Sequence, residues 1–111
     1  MLDNLLESRA TRILDCACGA GGLAIWLALN GKSVWAFDVS PNAITIAKES
    51  AQLSGVSERV SFQVMDARHL DYEDEFVHVI TGTDCIHHLI EYRSAITSLT
   101  RVLRVGARGF L

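Results

Sequence analysis

Short apolar runs alternate with helical patterns along this chain. Arg12 to Cys16 reads as a buried strand, and the small residues 17–22 that follow make a turn. Leu23 to Asn30 is rich in helix formers and runs into Gly31, a residue suited to the position just past a helix end. Ser33 to Phe37 is a second strand ending at Asp38. Ser40-Pro41 starts a helix, because Ser caps free N–H groups and Pro suits the first helical position. That helix runs to about Leu53 and stops near Gly55. Val60 to Met65 is a third strand, ending at Asp66; residues 67–75 are polar and form a loop or short helix. Val77 to Thr81 is a fourth strand. Glu91 to Leu103 is a helix with Ile96, Leu99, Val102 and Leu103 on its apolar side. Gly106 closes it, and Arg108 to Leu111 begins a fifth strand. Residues 1–11 form a short helix with Leu2, Leu5 and Leu6 on one face.

This alternation predicts an α/β fold: a doubly wound parallel sheet with helices on both faces. With 111 residues, half of them hydrophobic, one domain over 1–111 is expected. There is no internal repeat, low-complexity stretch or linker. A net charge of −3 without a Lys/Arg cluster gives no nucleic-acid footprint. No apolar run approaches the ~20 residues that span a membrane. The acidic N-terminus lacks a signal-peptide pattern. Three cysteines at no framework spacing point to a reducing compartment, hence the cytoplasm.

Three acids, Asp15, Asp38 and Asp66, close three successive apolar strands, and the first is followed by the small-residue turn. Such a turn lets a ligand approach the backbone, and the next helix offers free N–H groups and a positive dipole end. Asp38 lies about 20 residues beyond the turn, where an acid can accept both hydroxyls of a ribose. It also precedes a helix start, where an acid is favourable on dipole grounds alone. Asp66 by itself reads more readily as a solvated loop acid than as a ligand contact; three acids at three successive strand ends carry more weight together. Cys16, Cys18, Cys85, His87 and His88 could meet around a metal, but Cys-x-Cys is a poor match to zinc knuckles, and no metal is expected. Cys16 reads as an apolar filler, and Trp26 and Trp35 as core and interface fillers.

Taken in order, these segments resemble the class I S-adenosylmethionine-dependent methyltransferases. The resemblance runs from Ile13 to Leu111. Asp15, Gly19 and Gly21 fit the family's acid-x-Gly-x-Gly-x-Gly turn, with Ala17 in the first Gly place. It implies strand order 3-2-1-4-5 and S-adenosyl-L-methionine as cofactor. The turn would wrap its methionine part, Asp38 its ribose, and Val39 and Met65 would pack on its adenine. Asp66 would accept from the adenine amino group, with the Ala67 N–H beside it. Thr81 to Leu89 resembles the segment facing the methionine part and the methyl acceptor. Within it Asp84 and His87 are the catalytic candidates, because a histidine titrating near neutrality can take a proton from an oxygen or nitrogen acceptor. His88 fits better as a core or loop-capping residue.

Arg101 to Ala107 resembles the family's Arg-Val-Leu-Lys-Pro-Gly-Gly turn, with Val105 and Ala107 as departures. Val77-His78 stands where the family has Phe-Asp, and His78 is expected to hydrogen-bond at the strand's end. The family continues beyond five strands, so this chain resembles the cofactor-binding half of such a domain. An uncovered fifth strand would favour self-association. The implied acceptor is a small molecule. Two rivals stay open: a non-catalytic remnant or partner subunit with the same fold, and an NAD(P)-binding oxidoreductase fragment, whose fingerprint Ala17-x-Gly19-x-x-Gly22 matches with one substitution.

Overall fold

Strands in this chain put alternate side chains on opposite faces of one sheet, and each face has its own core. The computed structural model describes residues 11–82, 93–103 and 109–110. The described strands are β1 (Arg12–Cys16), β2 (Ser33–Asp38), β3 (Val60–Val64), β4 (Val79–Thr81) and β5 (Gly109–Phe110). All pair in parallel, in the order β3-β2-β1-β4-β5. The helices are α1 (Gly22–Leu29), α2 (Pro41–Leu53) and α3 (Arg93–Val102). The expected doubly wound sheet and its strand order are therefore present.

On one face Ile13, Val34, Ala36 and Val79 meet Ala24, Ile25, Leu27 and Ala28 of α1 and Ile44, Ala47 and Ala51 of α2. On the other, Leu14, Cys16, Phe37 and Ile80 meet Ala67, Leu70 and Ala95, Leu99 and Val102 of α3. Cys16 is fully buried, in the filler role expected of it. Because α1 and α2 pack on one face of β1 and α3 on the other, β1 is covered on both faces, which is why it reads as an almost continuous apolar run.

Several expected details shift. β4 starts at Val79 rather than Val77, because His78 replaces a ladder bond with its ring. The Arg12 N–H donates to His78 Nδ1 at 2.9 Å, while the His78 N–H reaches the Arg12 carbonyl. Val77 instead forms an isolated bridge with Leu103. The inward stripe of α3 is Ala95, Ser98, Leu99 and Val102; Ile96 is exposed. A step of one residue turns a helical side chain by about 100°, and the small Ala95 and Ser98 let the helix pack closely on that side. Trp26 is exposed rather than a core filler, whereas Trp35 packs edge-on against Phe76 at 4.8 Å between ring centres. The expected N-terminal helix, Gly106 and the ends of the fifth strand lie outside the described residues.

Candidate active site

Strand order reverses between β1 and β4, and in open α/β sheets ligands bind beyond the carboxyl ends of the strands at such a point. Asp15 and Thr81 are register partners there, and both are buried. The two strand exits run into backbone contact. A Cβ on Gly82 would stand 2.2 Å from the Cys16 carbonyl oxygen, so only hydrogen fits. After β1 the chain turns through three left-handed residues, Ala17 (φ 56°), Gly19 (φ 56°) and Gly21 (φ 87°). The Cys18 N–H donates to the Phe37 carbonyl at 2.9 Å, tying the turn to β2. At Gly21 a Cβ would meet Phe62 Cζ at 2.8 Å and the Ala47 Cβ at 3.0 Å. Gly21 thereby lets the turn rest on β3 and α2. It is also the N-cap of α1 and brings no side-chain cap, so that helix end is left to the site.

Asp38 locks the turn in place. Its Oδ2 accepts the Gly19 N–H and its Oδ1 the Ser40 N–H, both at 2.9 Å. Each carboxylate oxygen keeps acceptor capacity beyond these bonds. Asp15 is only 2% exposed, and among the described residues its Oδ2 has no hydrogen-bond partner. Burial first, and the Asp38 charge second, push its carboxyl up to about 7. The same causes, burial ahead of Asp15 and Asp38, push the Cys18 thiol up to about 12. Cys18 is accordingly a neutral thiol rather than a nucleophile.

At the β3 exit the Met65 N–H donates to the Asp38 carbonyl at 3.1 Å, so the second and third acids leave neighbouring strands side by side. Val39 is exposed there, Met65 is half-buried, and Ala67 is buried in the core under α3. Asp66 is held by Arg68. Oδ2 accepts from Arg68 Nη2 at 2.6 Å, and Oδ1 accepts from Nε at 3.0 Å and from the Arg68 backbone N–H at 2.9 Å. These bonds hold the Asp66 carboxyl down at about 2.

Thus Asp15, Ala17, Gly19, Gly21, Asp38, Val39, Met65, Asp66, Ala67 and Thr81 stand on the carboxyl exits of four adjacent strands and the turns that follow them. Asp84 and His87 lie outside the described residues, as do Cys85 and His88. Two residues were not singled out from sequence. Arg68 carried the signal of an Asp-x-Arg spacing in a loop, which alone is common. Tyr72 has a buried hydroxyl with no partner among the described residues, stacks on Phe76 at 5.6 Å, and has a raised pKa because of burial.

Residues 13–106 match a family described as "Methyltransferase domain". Methyltransferase GfsG of Streptomyces halstedii is 33% identical over 97% of this chain and 39% of its own length. Norajmaline N-methyltransferase of Rauvolfia serpentina is 32% identical over 91% of this chain and 35% of its own. The chain therefore spans well under half the length of these relatives. Among solved structures, a putative S-adenosyl-L-methionine-dependent methyltransferase from Methanococcus maripaludis superposes with a TM-score of 0.87 at 22% identity. The match covers 97% of this chain and 50% of that one, and at that identity it speaks for the fold. Sheet order, strand-end acids and family match agree: the chain belongs to the methyltransferase-domain family of the class I S-adenosylmethionine-dependent superfamily.

Proposed function

We propose that this chain binds S-adenosyl-L-methionine across the exits of β1, β2 and β3 and serves its methyl transfer to a small-molecule acceptor. The observation that carries this reading is the buried Oδ2 of Asp15 at the head of the glycine turn, unpartnered among the described residues. A buried carboxylate oxygen without a donor is costly, and the cofactor's ammonium group is a donor of matching charge. The residues fit the rest of the molecule as well. Ala17, Gly19 and Gly21 present backbone, and the uncapped first turn of α1 can receive the carboxylate of the cofactor. Asp38 accepts from the ribose hydroxyls, Val39 and Met65 cover the adenine faces, and Asp66 with the Ala67 N–H takes its polar edge. Thr81 closes the floor beside Asp15.

When bound, the cofactor supplies an electrophilic methyl group on a sulfonium. The chain contributes alignment and exclusion of water. His87 or Asp84 takes a proton where the acceptor is a hydroxyl or a protonated nitrogen. GfsG and the norajmaline enzyme, methyltransferases by name, support a small acceptor. The odd count of three cysteines, at no framework spacing, supports a reducing, cytoplasmic setting. Among the described residues no helix is long and apolar enough to cross a membrane. Self-association through the fifth strand belongs to the same proposal.

Calorimetric titration with S-adenosylhomocysteine, beside NAD in a second cell, tests the reading. Binding of the former alone is expected; binding of NAD alone overturns it in favour of a dinucleotide site. Asp38→Ala is expected to weaken S-adenosylhomocysteine by about 1–3 kcal/mol through lost charge-assisted hydrogen bonds. Unchanged affinity in a folded variant would defeat the ribose assignment. Release of labelled methyl into an acceptor then separates an enzyme from a remnant that only binds.

A further inference from the structure

The Asp66–Arg68 pair is the clearest local arrangement that the proposed site does not yet use. Both side chains are partly solvent-exposed, so the pair adds little to folding. Its geometry bears instead on what Asp66 can present to a ligand. Each carboxylate oxygen has about two acceptor positions. On Oδ1 both are taken, by the Arg68 backbone N–H at 2.9 Å and by Nε at 3.0 Å. On Oδ2 one is taken by Nη2 at 2.6 Å, while Nε reaches it only as a shared bond at 3.1 Å. Among the described residues, one acceptor position on Oδ2 is left open.

We infer that Arg68 is a positioning residue: by gripping Asp66 from two sides it fixes the carboxylate so that a single Oδ2 lone pair faces the purine, which selects a 6-amino over a 6-oxo base. This rests on the proposed reading in which Asp66 meets the adenine. A 6-amino group brings a hydrogen to that lone pair. A 6-oxo group brings a second acceptor, and two acceptors face to face leave both unsatisfied. The same grip keeps Asp66 ionised far below neutral pH, since its carboxyl sits at about 2 through the Arg68 side-chain and backbone hydrogen bonds.

The test compares the affinities of S-adenosylhomocysteine and its deaminated analogue S-inosylhomocysteine by calorimetry, from pH 7 down to pH 4. The ratio of the two is the readout. Both ligands share every part outside the purine 6-position, so pH effects elsewhere in the site cancel in the ratio. The wild-type chain is expected to prefer the adenosyl ligand by about tenfold or more, at every pH in the range. In Asp66→Asn the preference collapses, because the amide can donate to the oxo group. In Arg68→Ala it falls at least about threefold at pH 7 and falls further below about pH 5, as Asp66 returns to the ordinary carboxylate range. Arg68→Lys, which keeps the charge without the fork, lies between the two. Melting temperature is followed throughout to confirm that each variant is folded. If Asp66→Asn keeps the full preference, the adenine role of Asp66 fails and this inference with it. If Asp66→Asn collapses the preference while Arg68→Ala keeps it at all pH values, only the role of Arg68 is overturned.

Discussion

Ala17 holds a left-handed backbone at φ 56° in a turn whose other left-handed positions, Gly19 and Gly21, are glycine. For an alanine this conformation costs roughly 1–2 kcal/mol, from the Cβ against the following carbonyl. Glycine removes that strain but gives the unfolded chain more freedom, worth roughly 0.4–1 kcal/mol in the other direction. Ala17→Gly is therefore expected to stabilise the chain by about 0.5–1 kcal/mol, measured as a rise in the urea midpoint. A lower midpoint would mean that the Ala17 methyl packs better than its backbone suffers. This site also shows what was legible at the level of single residues. Asp15, Asp38 and Asp66 stood out because each follows an apolar strand, and strand ends in a parallel sheet converge on one edge. The unpartnered state of Asp15 and the Arg68 grip were not legible. Both depend on which side chain turns towards which, and a local spacing such as Asp-x-Arg does not encode that.

Among the elements, α2 meets the site through its own start. Ser40 Oγ accepts the Ala43 N–H at 3.1 Å and Pro41 fills the first turn, so the cap is complete within the helix. The Ser40 backbone N–H separately holds Asp38 at 2.9 Å. The two functions use different atoms of one residue. Ser40→Ala should cost about 1 kcal/mol of stability through the lost cap, yet leave S-adenosylhomocysteine affinity within about twofold, because the backbone bond to Asp38 survives. A large loss of affinity, read in the same titration, would show that the cap also sets the Asp38 rotamer. This start was readable because Ser-Pro before an apolar periodicity has a direct mechanism. On α3 Leu99 and Val102, with Leu103 just past its end, pack inward as expected, but Ile96 was misread for the opposite reason. Ile96 carries the stronger hydrophobic signal, but Ala95 and Ser98 face the sheet, where Ser98 Oγ accepts the Leu70 N–H at 3.2 Å. A stripe of small residues packs tightly without looking apolar. β4 was overestimated because a histidine ring can replace a ladder acceptor, as His78 does for Arg12.

Across the whole molecule, folding and the proposed binding meet at Asp15. Its carboxyl lies near 3.8 when exposed and is raised to about 7 in the fold, by burial and by Asp38. The folded state therefore holds a proton that the unfolded chain releases. For a carboxyl raised in this way, stability is greatest below about pH 4, falls as pH rises towards 7, and levels off above. The loss is on the order of 2–4 kcal/mol, roughly one and a half to three orders of magnitude in the folding equilibrium. Asp66 acts in the opposite sense and only at the acid end, losing its contribution as pH falls through about 2. Asp15→Asn removes the titration but keeps the shape. Urea unfolding at pH 5 and pH 8 should then show the wild type losing stability between them by at least about 1 kcal/mol more than the variant, with the variant the more stable at pH 8. A cationic group beside Asp15 reverses the sign: it rewards the ionised carboxylate, and any ligand that binds only the folded chain adds RT ln(1 + [L]/Kd). Saturating S-adenosylhomocysteine should accordingly narrow the pH dependence of the wild type and leave that of Asp15→Asn almost unchanged. Its binding below pH 7 should also release a proton, detected as a dependence of the measured heat on the buffer's ionisation enthalpy. If wild type and variant follow parallel stability curves between pH 5 and pH 8, Asp15 is ionised throughout and the ammonium contact loses its main support. If they diverge and the ligand closes the gap, the buried carboxylate that costs the empty fold stability is the group that holds the cofactor.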